Sequence, residues 1–129
     1  MNENPLEPNE AIRLLYSALA QPSVAIVPKY VAQDLANLRR AHSDDVAFSN
    51  AVRAVAKEIL AALRNPAKYG VDTEFALVGW RRCRFASIKG GAPHLRLVFR
   101  KRNSGGIEIL AFGDRAFPDS VYLTATQRV

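Results

Sequence analysis

The sequence predicts an α+β protein, in which a small twisted antiparallel sheet has two helices packed on one face, with a helical extension at the N-terminus. Residues 95–113 hold two β-rich runs separated by Asn103-Ser104-Gly105-Gly106, a pattern typical of a β-hairpin. Upstream, apolar residues recur at helical spacing in three segments. We treat residues 1–129 as a single domain, with 1–21 as the extension and 22–129 as the core.

The first three helices follow from apolar spacing and from the residues at their ends. Asn9 is the expected N-cap of the first helix, which Gln21-Pro22 closes. A short strand is predicted over residues 23–27, and Pro28 suits the first turn of the second helix. The third and longest helix begins after a cap at Ser43 or Asp44 and ends at residues 65–66, Asn-Pro.

The second half of the chain is predicted to be mainly β-structure. Residues 67–74 resemble a turn, and residues 75–78 form a short extended piece. Residues 80–87 alternate, so that Arg82 and Arg84 point to one face of a strand. The hairpin strands span 95–102 and 107–113, with one face joining the core and the other wet and basic. Pro118-Asp119 opens a final short helix.

Composition excludes several classes of protein. Hydrophobic residues make up 49% of the chain, which is too many for a disordered protein. The single cysteine, Cys83, forms no internal disulfide and no thiolate metal site, and is expected to be buried and inert. No apolar run approaches membrane-spanning length, and the N-terminus is unlike a signal peptide. We therefore expect a cytoplasmic protein without a membrane partner.

The net charge of +6 is concentrated in one block. Residues 1–79 hold eight basic and nine acidic side chains, whereas residues 80–102 hold eight basic side chains and no acid. Such a block repels itself unless a polyanion or an acidic partner neutralises it, although it could also be a solvated face. The charges lie on predicted strands rather than in a tail, which favours the polyanion. The candidate phosphate-binding residues are Arg81, Arg82, Arg84, Lys89, Arg100 and Arg102.

The ordered combination of these segments resembles the RelE/ParE superfamily of toxins from type II toxin–antitoxin systems. Arg96-Leu97-Val98-Phe99-Arg100 is similar to the family's arginine-bearing strand, usually with tyrosine where Phe99 stands. Residues 107–113 followed by Arg115 are similar to the next strand and its terminal arginine. Val121-Tyr122, with Ala125 and Arg128, is similar to the C-terminal segment. The resemblance covers roughly residues 23–129, leaving the first helix as an addition.

The resemblance implies a catalytic set of Arg96, Arg115 and Tyr122. RelE-like toxins cut messenger RNA on the ribosome by attack of a 2′-hydroxyl on the adjacent phosphate. The arginines would bind the phosphate, and Tyr122 stands at the family's acid/base position. The nuclease members have lysines where Arg82 and Arg84 stand here. Because arginine does not lose its proton in proteins, these positions keep phosphate binding but offer no base.

Several residues keep an alternative interpretation. His94 and Lys89 are further titratable candidates, although His94 also fits a turn, and His42 would contact the carbonyls ending its helix. Tyr122 could pack the last helix, Arg96 could pair with an acid in the sheet, and Trp80 could belong to the core rather than stack on a base. No metal-ligand spacing is present, and no cofactor is predicted.

Three functions remain open from the sequence. The first is a ribosome-dependent messenger RNA endonuclease, metal-independent and held inactive by a cognate antitoxin, with messenger RNA and the ribosome as its other partners. The second is a non-enzymatic ParE-like toxin that binds DNA gyrase. The third is an inactive relative that only binds nucleic acid or protein.

Overall fold

The computed structural model describes residues 7–73, 77–115 and 120–129. Within them the chain has an α+β fold with a five-stranded sheet. The elements in order are α1 (Pro8–Leu19), β1 (Val24–Ala25), α2 (Pro28–Ala41), α3 (Asp45–Arg64), β2 (Val71–Asp72), β3 (Arg81–Phe85), β4 (Leu95–Lys101), β5 (Ile107–Asp114) and α4 (Val121–Gln127).

The sheet is mixed, so the prediction of an antiparallel sheet is wrong at one edge. Its strand order is β1-β5-β4-β3-β2, and β1 runs parallel to β5, with Val24 opposite Ile107. The other three pairs are antiparallel, as predicted for the hairpin of β4 and β5. The direction of β1 depends on how α2 and α3 return the chain to the sheet. No local pattern in a two-residue strand contains that information.

Strand β2 lies within the segment predicted to be a turn. Val71 and Asp72 pair with Arg82 and Arg81, and both β2 residues are exposed at the edge of the sheet. Two exposed residues have no alternating hydrophobic pattern, which explains why the sequence did not indicate this strand. The extended piece predicted at 75–78 lies partly outside the described residues, and Leu77 belongs to a turn before Trp80.

One face of the sheet packs against α2 and α3, as predicted. The core on this side joins helix residues such as Leu38, Val52 and Ile59 to Leu97 and Phe112 of the sheet. Helix α1 packs on α3, and its buried residues Ala11, Leu15, Ala18 and Leu19 belong to the same cluster. The predicted N-terminal extension therefore contributes to the main core.

The opposite face is not simply wet and basic, because α4 covers part of it. A second cluster joins Val121 and Ala125 of α4 to Trp80, Val98 and Leu110, with Leu77 and Ala111 completing it. Residues 95–99 of β4 are all buried for this reason. A strand covered on both faces loses the alternation of a half-buried strand. The prediction of a hairpin is therefore confirmed, but the prediction that one of its faces is exposed to solvent is wrong.

The helix ends show which capping signals determine the boundaries. The Asp44 side chain caps α3 by accepting a hydrogen bond of 2.9 Å from the Ala47 amide, as one of the two predicted caps. Asn9 is not a cap, since α1 begins at Pro8 after Glu7. Helix α4 begins after Ser120, whose hydroxyl accepts from the Tyr122 amide. Pro118-Asp119, predicted to open this helix, lies outside the described residues.

Among the described helices, none combines the length and the hydrophobicity needed to cross a membrane.

Candidate nucleic-acid interface

The face of the sheet that α4 partly covers holds three arginines of β3 and β4. Cys83 and Leu97 belong to the core under α2 and α3, so alternation sends their neighbours Arg82, Arg84 and Arg96 to the other side. We call Arg82, Arg84, Arg96, Arg115 and Tyr122 the α4-side cluster. Within it, Arg82 contacts Tyr122 and Arg84 lies opposite Arg96, while Arg115 follows the end of β5. Among the described contacts, none joins Arg96 or Arg115 to Tyr122.

Tyr122 is placed over β3 by the first turn of α4. Its neighbour Val121 is 3% exposed and anchors the helix, while Tyr122 itself is half-buried. The Arg82 Nη1 atom donates to the Tyr122 hydroxyl over 3.4 Å, and the Arg82 guanidinium carbon lies 5.8 Å from the ring centre. The phenol oxygen therefore lies beside a cation.

Arg84 and Arg96 are directly opposite each other on β3 and β4. Like charges in directly opposed positions destabilise an antiparallel pair, so this pairing has a cost for the fold. Arg84 is exposed, and no hydrogen bond or ion pair holds it within the described residues. A bound anion between the two strands would turn this repulsion into attraction.

The Arg96 side chain is buried and bonds to backbone carbonyls close to it in sequence. It is only 6% exposed, and its Nη1 atom donates to the carbonyls of Pro93 and Leu95. Its Nε atom is buried without a hydrogen-bond partner in the described part of the chain. The alternative that Arg96 pairs with an acid in the sheet finds no such pair there. Its guanidinium is thus a buried positive charge on the strand position opposite the exposed Arg84.

Arg115 lies at the same end of the sheet, just beyond β5. It is exposed, and its amide donates to the His94 carbonyl over 2.9 Å, which extends the pairing of β4 and β5 by one step. In residues 7–73, 77–115 and 120–129, no carboxylate forms an ion pair with the arginines of the α4-side cluster. The four arginines of this cluster therefore have no ion-paired carboxylate among the described residues.

The other predicted phosphate-binding residues lie elsewhere and have varied surroundings. The Arg81 guanidinium donates to the carbonyls of Tyr69 and Gly70 and pairs with Asp72 at 2.7 Å. Arg81 therefore ties β3 to β2 and to the residues before it, and its side chain lies on the helix side of the sheet. Arg102 opens the hairpin loop and is half-buried.

Arg100 stacks 4.4 Å above the Trp80 ring and pairs with Glu108 at 2.8 Å. Trp80 is 7% exposed and already covered by this cation, so it belongs to the core and not to a free stacking platform. Lys89 is exposed in the turn before β4, beside a shallow groove of about 450 Å³ that Arg53 and Lys57 also line.

A second polar group, which the sequence did not indicate, lies across the sheet at the ends of β4 and β5. His94 Nδ1 is 3.1 Å from Asp114 Oδ2, and His42 Nε2 is 3.8 Å from the same oxygen. Ser87 Oγ is 3.0 Å from His94 Nε2. The pairing of Leu95 with Asp114 brings His94 to the carboxylate, and α2 brings His42. A predicted hairpin register could have joined His94 to Asp114, but nothing local places His42.

The surroundings shift the pKa of one histidine of this group. Burial, together with the neighbouring His94, lowers the pKa of His42, and the Asp114 carboxylate only partly opposes this. The His42 side chain faces Asp114, and not the last carbonyls of α2 as the sequence predicted. Only the backbone amide of His42 bonds to such a carbonyl, that of Leu38.

No family model matches this sequence, and comparisons with curated proteins and with solved structures give no significant match. The likeness to RelE/ParE toxins therefore stays a prediction that depends on the residues named above.

Proposed function

We propose that this protein is a toxin of a toxin–antitoxin pair that cuts messenger RNA on the ribosome, with the α4-side cluster as its reaction site. The observation that best supports this is the contact between Arg82 and Tyr122 beside the opposed pair Arg84 and Arg96. It joins cations that stabilise a charged phosphate to a hydroxyl that can move a proton. Within the described residues these arginines form no ion pair, which favours a polyanionic substrate over a solvated surface.

The reaction we assign is internal transesterification. The 2′-oxygen forms a bond to phosphorus while the bond from phosphorus to the 5′-oxygen breaks. The products are a 2′,3′-cyclic phosphate and a 5′-hydroxyl. One proton leaves the 2′-hydroxyl and one reaches the 5′-oxygen, and no metal ion takes part. We assign one of these two transfers to Tyr122, since arginine cannot release a proton at physiological pH.

The arginines have different tasks because they differ in exposure. Arg84 and Arg115 are exposed and reach the phosphate oxygens directly, where the planar guanidinium can hold two oxygens at once. Arg82 orients the Tyr122 hydroxyl. Arg96 stays behind them as a fixed positive charge. This assignment makes Arg84, named only as a binding residue from the sequence, as important as Arg115.

The test is primer extension on messages bound to programmed ribosomes. Tyr122→Phe keeps the ring and its packing and should slow cleavage by about 10²-fold. Arg84→Ala and Arg115→Ala should each slow cleavage by about 10²-fold or more, as when one charge-stabilising donor is removed. The matched control is Arg13→Ala, an exposed arginine on α1 that should cleave normally. If the wild-type protein cuts no message at any codon, the nuclease proposal fails.

One feature favours a second candidate, a ParE-like toxin that binds gyrase without catalysis. Within the described residues, Tyr122 is the one side chain of the α4-side cluster that can exchange a proton, so only one of the two transfers has an assigned group. A gyrase-binding toxin would retain toxicity as Tyr122→Phe. Supercoiling by purified gyrase would then fall on addition of the protein, and messages would stay intact.

For either toxin, we propose an antitoxin segment rich in acidic and apolar residues. It would neutralise the α4-side cluster by covering the exposed Arg84 and Arg115, since Arg96 is already buried, and could pair with the exposed edge strand β2. Co-expression with the neighbouring small gene should give a complex that purifies intact and silences the toxin. Purification as a lone monomer that is harmless to cells would count strongly against this proposal.

A further inference from the structure

The group formed by His42, His94 and Asp114 has the composition of a metal site. One ligand atom from each side chain lies within 4.8 Å of the other two, and all three residues are partly buried. The measured separations from Asp114 Oδ2 are 3.1 Å to His94 Nδ1 and 3.8 Å to His42 Nε2. A tetrahedral zinc ion with bonds of about 2.0–2.2 Å separates its ligands by about 3.3–3.6 Å. The two separations from Asp114 are therefore close to those of a zinc site, and the two histidine nitrogens lie within 4.8 Å of each other.

His42 supplies the observation that favours an ion over a simple hydrogen-bonded cluster. Its Nε2 atom is buried and has no hydrogen-bond partner in the described part of the chain, although it points to Asp114. A buried ring nitrogen without a partner costs free energy. Coordination of a cation would satisfy this nitrogen, since a metal ion binds the lone pair of a neutral imidazole.

Ser87 provides the supporting contact that metal-binding histidines usually have. With Nδ1 of His94 on the ion, the Nε2–H group would donate to Ser87 Oγ, 3.0 Å away, and fix the ring orientation. The same distances could describe a serine nucleophile activated by His94. That interpretation uses one histidine and leaves the buried His42 nitrogen unexplained, so the observations favour the metal.

We propose that His42, His94 and Asp114 bind one zinc ion, with Ser87 supporting His94. Two imidazole nitrogens and one carboxylate oxygen are a donor set that suits Zn²⁺, and the fourth position is left for water. The ligands come from the end of α2, the segment before β4 and the end of β5. The ion would thus fasten α2 to the hairpin, on the face of the sheet opposite the α4-side cluster. This proposal is independent of the nuclease proposal.

The first experiment titrates the chelator-treated full-length chain with Zn²⁺ by calorimetry and with Co²⁺ by visible absorption. One ion should bind per chain, and Co²⁺ should give the intense bands of a four-coordinate site. Saturating Zn²⁺ should also raise Tm, because a ligand that binds only the folded state stabilises it. No binding at millimolar Zn²⁺ would overturn the proposal.

Variants then locate the site. Ser87→Ala should weaken Zn²⁺ affinity by about 10- to 100-fold, as expected for loss of a supporting hydrogen bond. His42→Ala and Asp114→Asn should weaken it further and abolish the Co²⁺ bands. Glu10→Gln, an exposed carboxylate on α1, is the control and should bind as the wild type does. Circular dichroism of each variant shows that it is folded, and His94→Gln repeats the test if His42→Ala is not. Unchanged affinity in folded His42→Ala and Asp114→Asn would refute the site.

Discussion

Arg128 and Asp34 form a buried bidentate ion pair that joins α4 to α2 around the edge of the sheet. Arg128 Nη2 lies 2.8 Å from Asp34 Oδ1, Nη1 lies 2.9 Å from Oδ2, and the two side chains are 5% and 4% exposed. The same two side chains also bond to the backbone of β5 beyond the two residues that pair with β1. Asp34 accepts from the Phe112 amide, and Arg128 donates to the Leu110 carbonyl. Two side chains thus replace a missing strand.

Removal of one partner of this pair should be costly. Arg128→Met should lower the free energy of unfolding by about 3–5 kcal/mol, since it leaves a buried carboxylate without its counter-charge. The double variant Asp34→Asn with Arg128→Met should lose less than the sum of the two single variants. Urea denaturation of the four proteins measures the coupling. Additive losses would show that the pair contributes no interaction energy.

The Arg128→Met variant should also respond to pH in a defined direction. Burial raises the pKa of Asp34, and Arg128 is the main influence that lowers it. Without Arg128, the folded state binds the proton more readily than the unfolded state, so stability should increase as pH falls from 7.5 toward the ordinary carboxyl pKa of 3.8. The difference from wild type should therefore be smaller at pH 5 than at pH 7.5, and a larger difference at pH 5 would contradict this.

Gly106 should be intolerant of any side chain. It has a φ angle of +81°, and an added Cβ would lie 1.9 Å from the Ser23 carbonyl oxygen, where β1 meets the hairpin. Gly105 is the matched control, since its φ is +95° but nothing lies within 4 Å of an added Cβ. Gly105→Ala should cost about 1–2 kcal/mol from backbone strain alone, and Gly106→Ala clearly more. Thermal unfolding compares them, and equal losses would show that β1 moves aside freely.

Arg81 and Arg84 should separate stability from binding. Arg81→Ala removes charged hydrogen bonds to two backbone carbonyls and should cost about 1.5–3 kcal/mol, with little from the exposed partner Asp72. Arg84→Ala should change stability by less than about 0.5 kcal/mol but weaken binding to single-stranded RNA. Denaturation and fluorescence anisotropy with a labelled RNA measure the two effects. Arg84→Ala with wild-type RNA affinity would remove the main support for the interface.

Binding to RNA or ribosomes should depend strongly on salt. Each phosphate contact should contribute a slope of about −0.7 to a plot of log K against log salt concentration for a single strand. Arg84→Ala and Arg115→Ala should each make that slope shallower by about 0.7, whereas Arg13→Ala should leave it unchanged. A binding constant that is equal at low and moderate salt would indicate that the arginines do not contact phosphate.

Cys83 should react only when the protein unfolds. Burial, with the nearby Glu58 carboxylate, raises the pKa of the Cys83 thiol to about 12 from 9.0. The thiolate fraction at pH 8 is then about 1000-fold lower than for a free thiol. Because the folded pKa is the higher one, stability should fall as pH rises above 9.0 toward 12, by at most about 1.4 kcal/mol per pH unit.

Two measurements check the cysteine prediction. Alkylation at pH 8 should follow the unfolding transition in urea. The variant Cys83→Val, which removes the thiol, should lose less stability than wild type between pH 9 and pH 11, which separates the thiol from other groups that titrate there. Rapid alkylation in native buffer would mean that Cys83 is accessible.

The sequence by itself determined the helices, the hairpin and the concentration of charge. Helical spacing and the Asp44 cap set α3, and the glycine loop set the pairing of β4 with β5, because these signals are local. Alternation along β3 also determined that Arg82 and Arg84 share a face. The resemblance selected Tyr122, but only the fold placed it against Arg82.

The tertiary structure alone decided what depends on distant segments. It made β1 parallel to β5, packed α4 on the second face of the sheet, and buried Arg96. It brought His42 to Asp114 and Arg128 to Asp34, pairs that are far apart along the chain. The hydrophobic pattern of a segment indicates which of its side chains can be buried. It does not indicate which other segment they will pack against, and these contacts depend on that. The sequence therefore identified the arginines, and packing decided which of them solvent can reach.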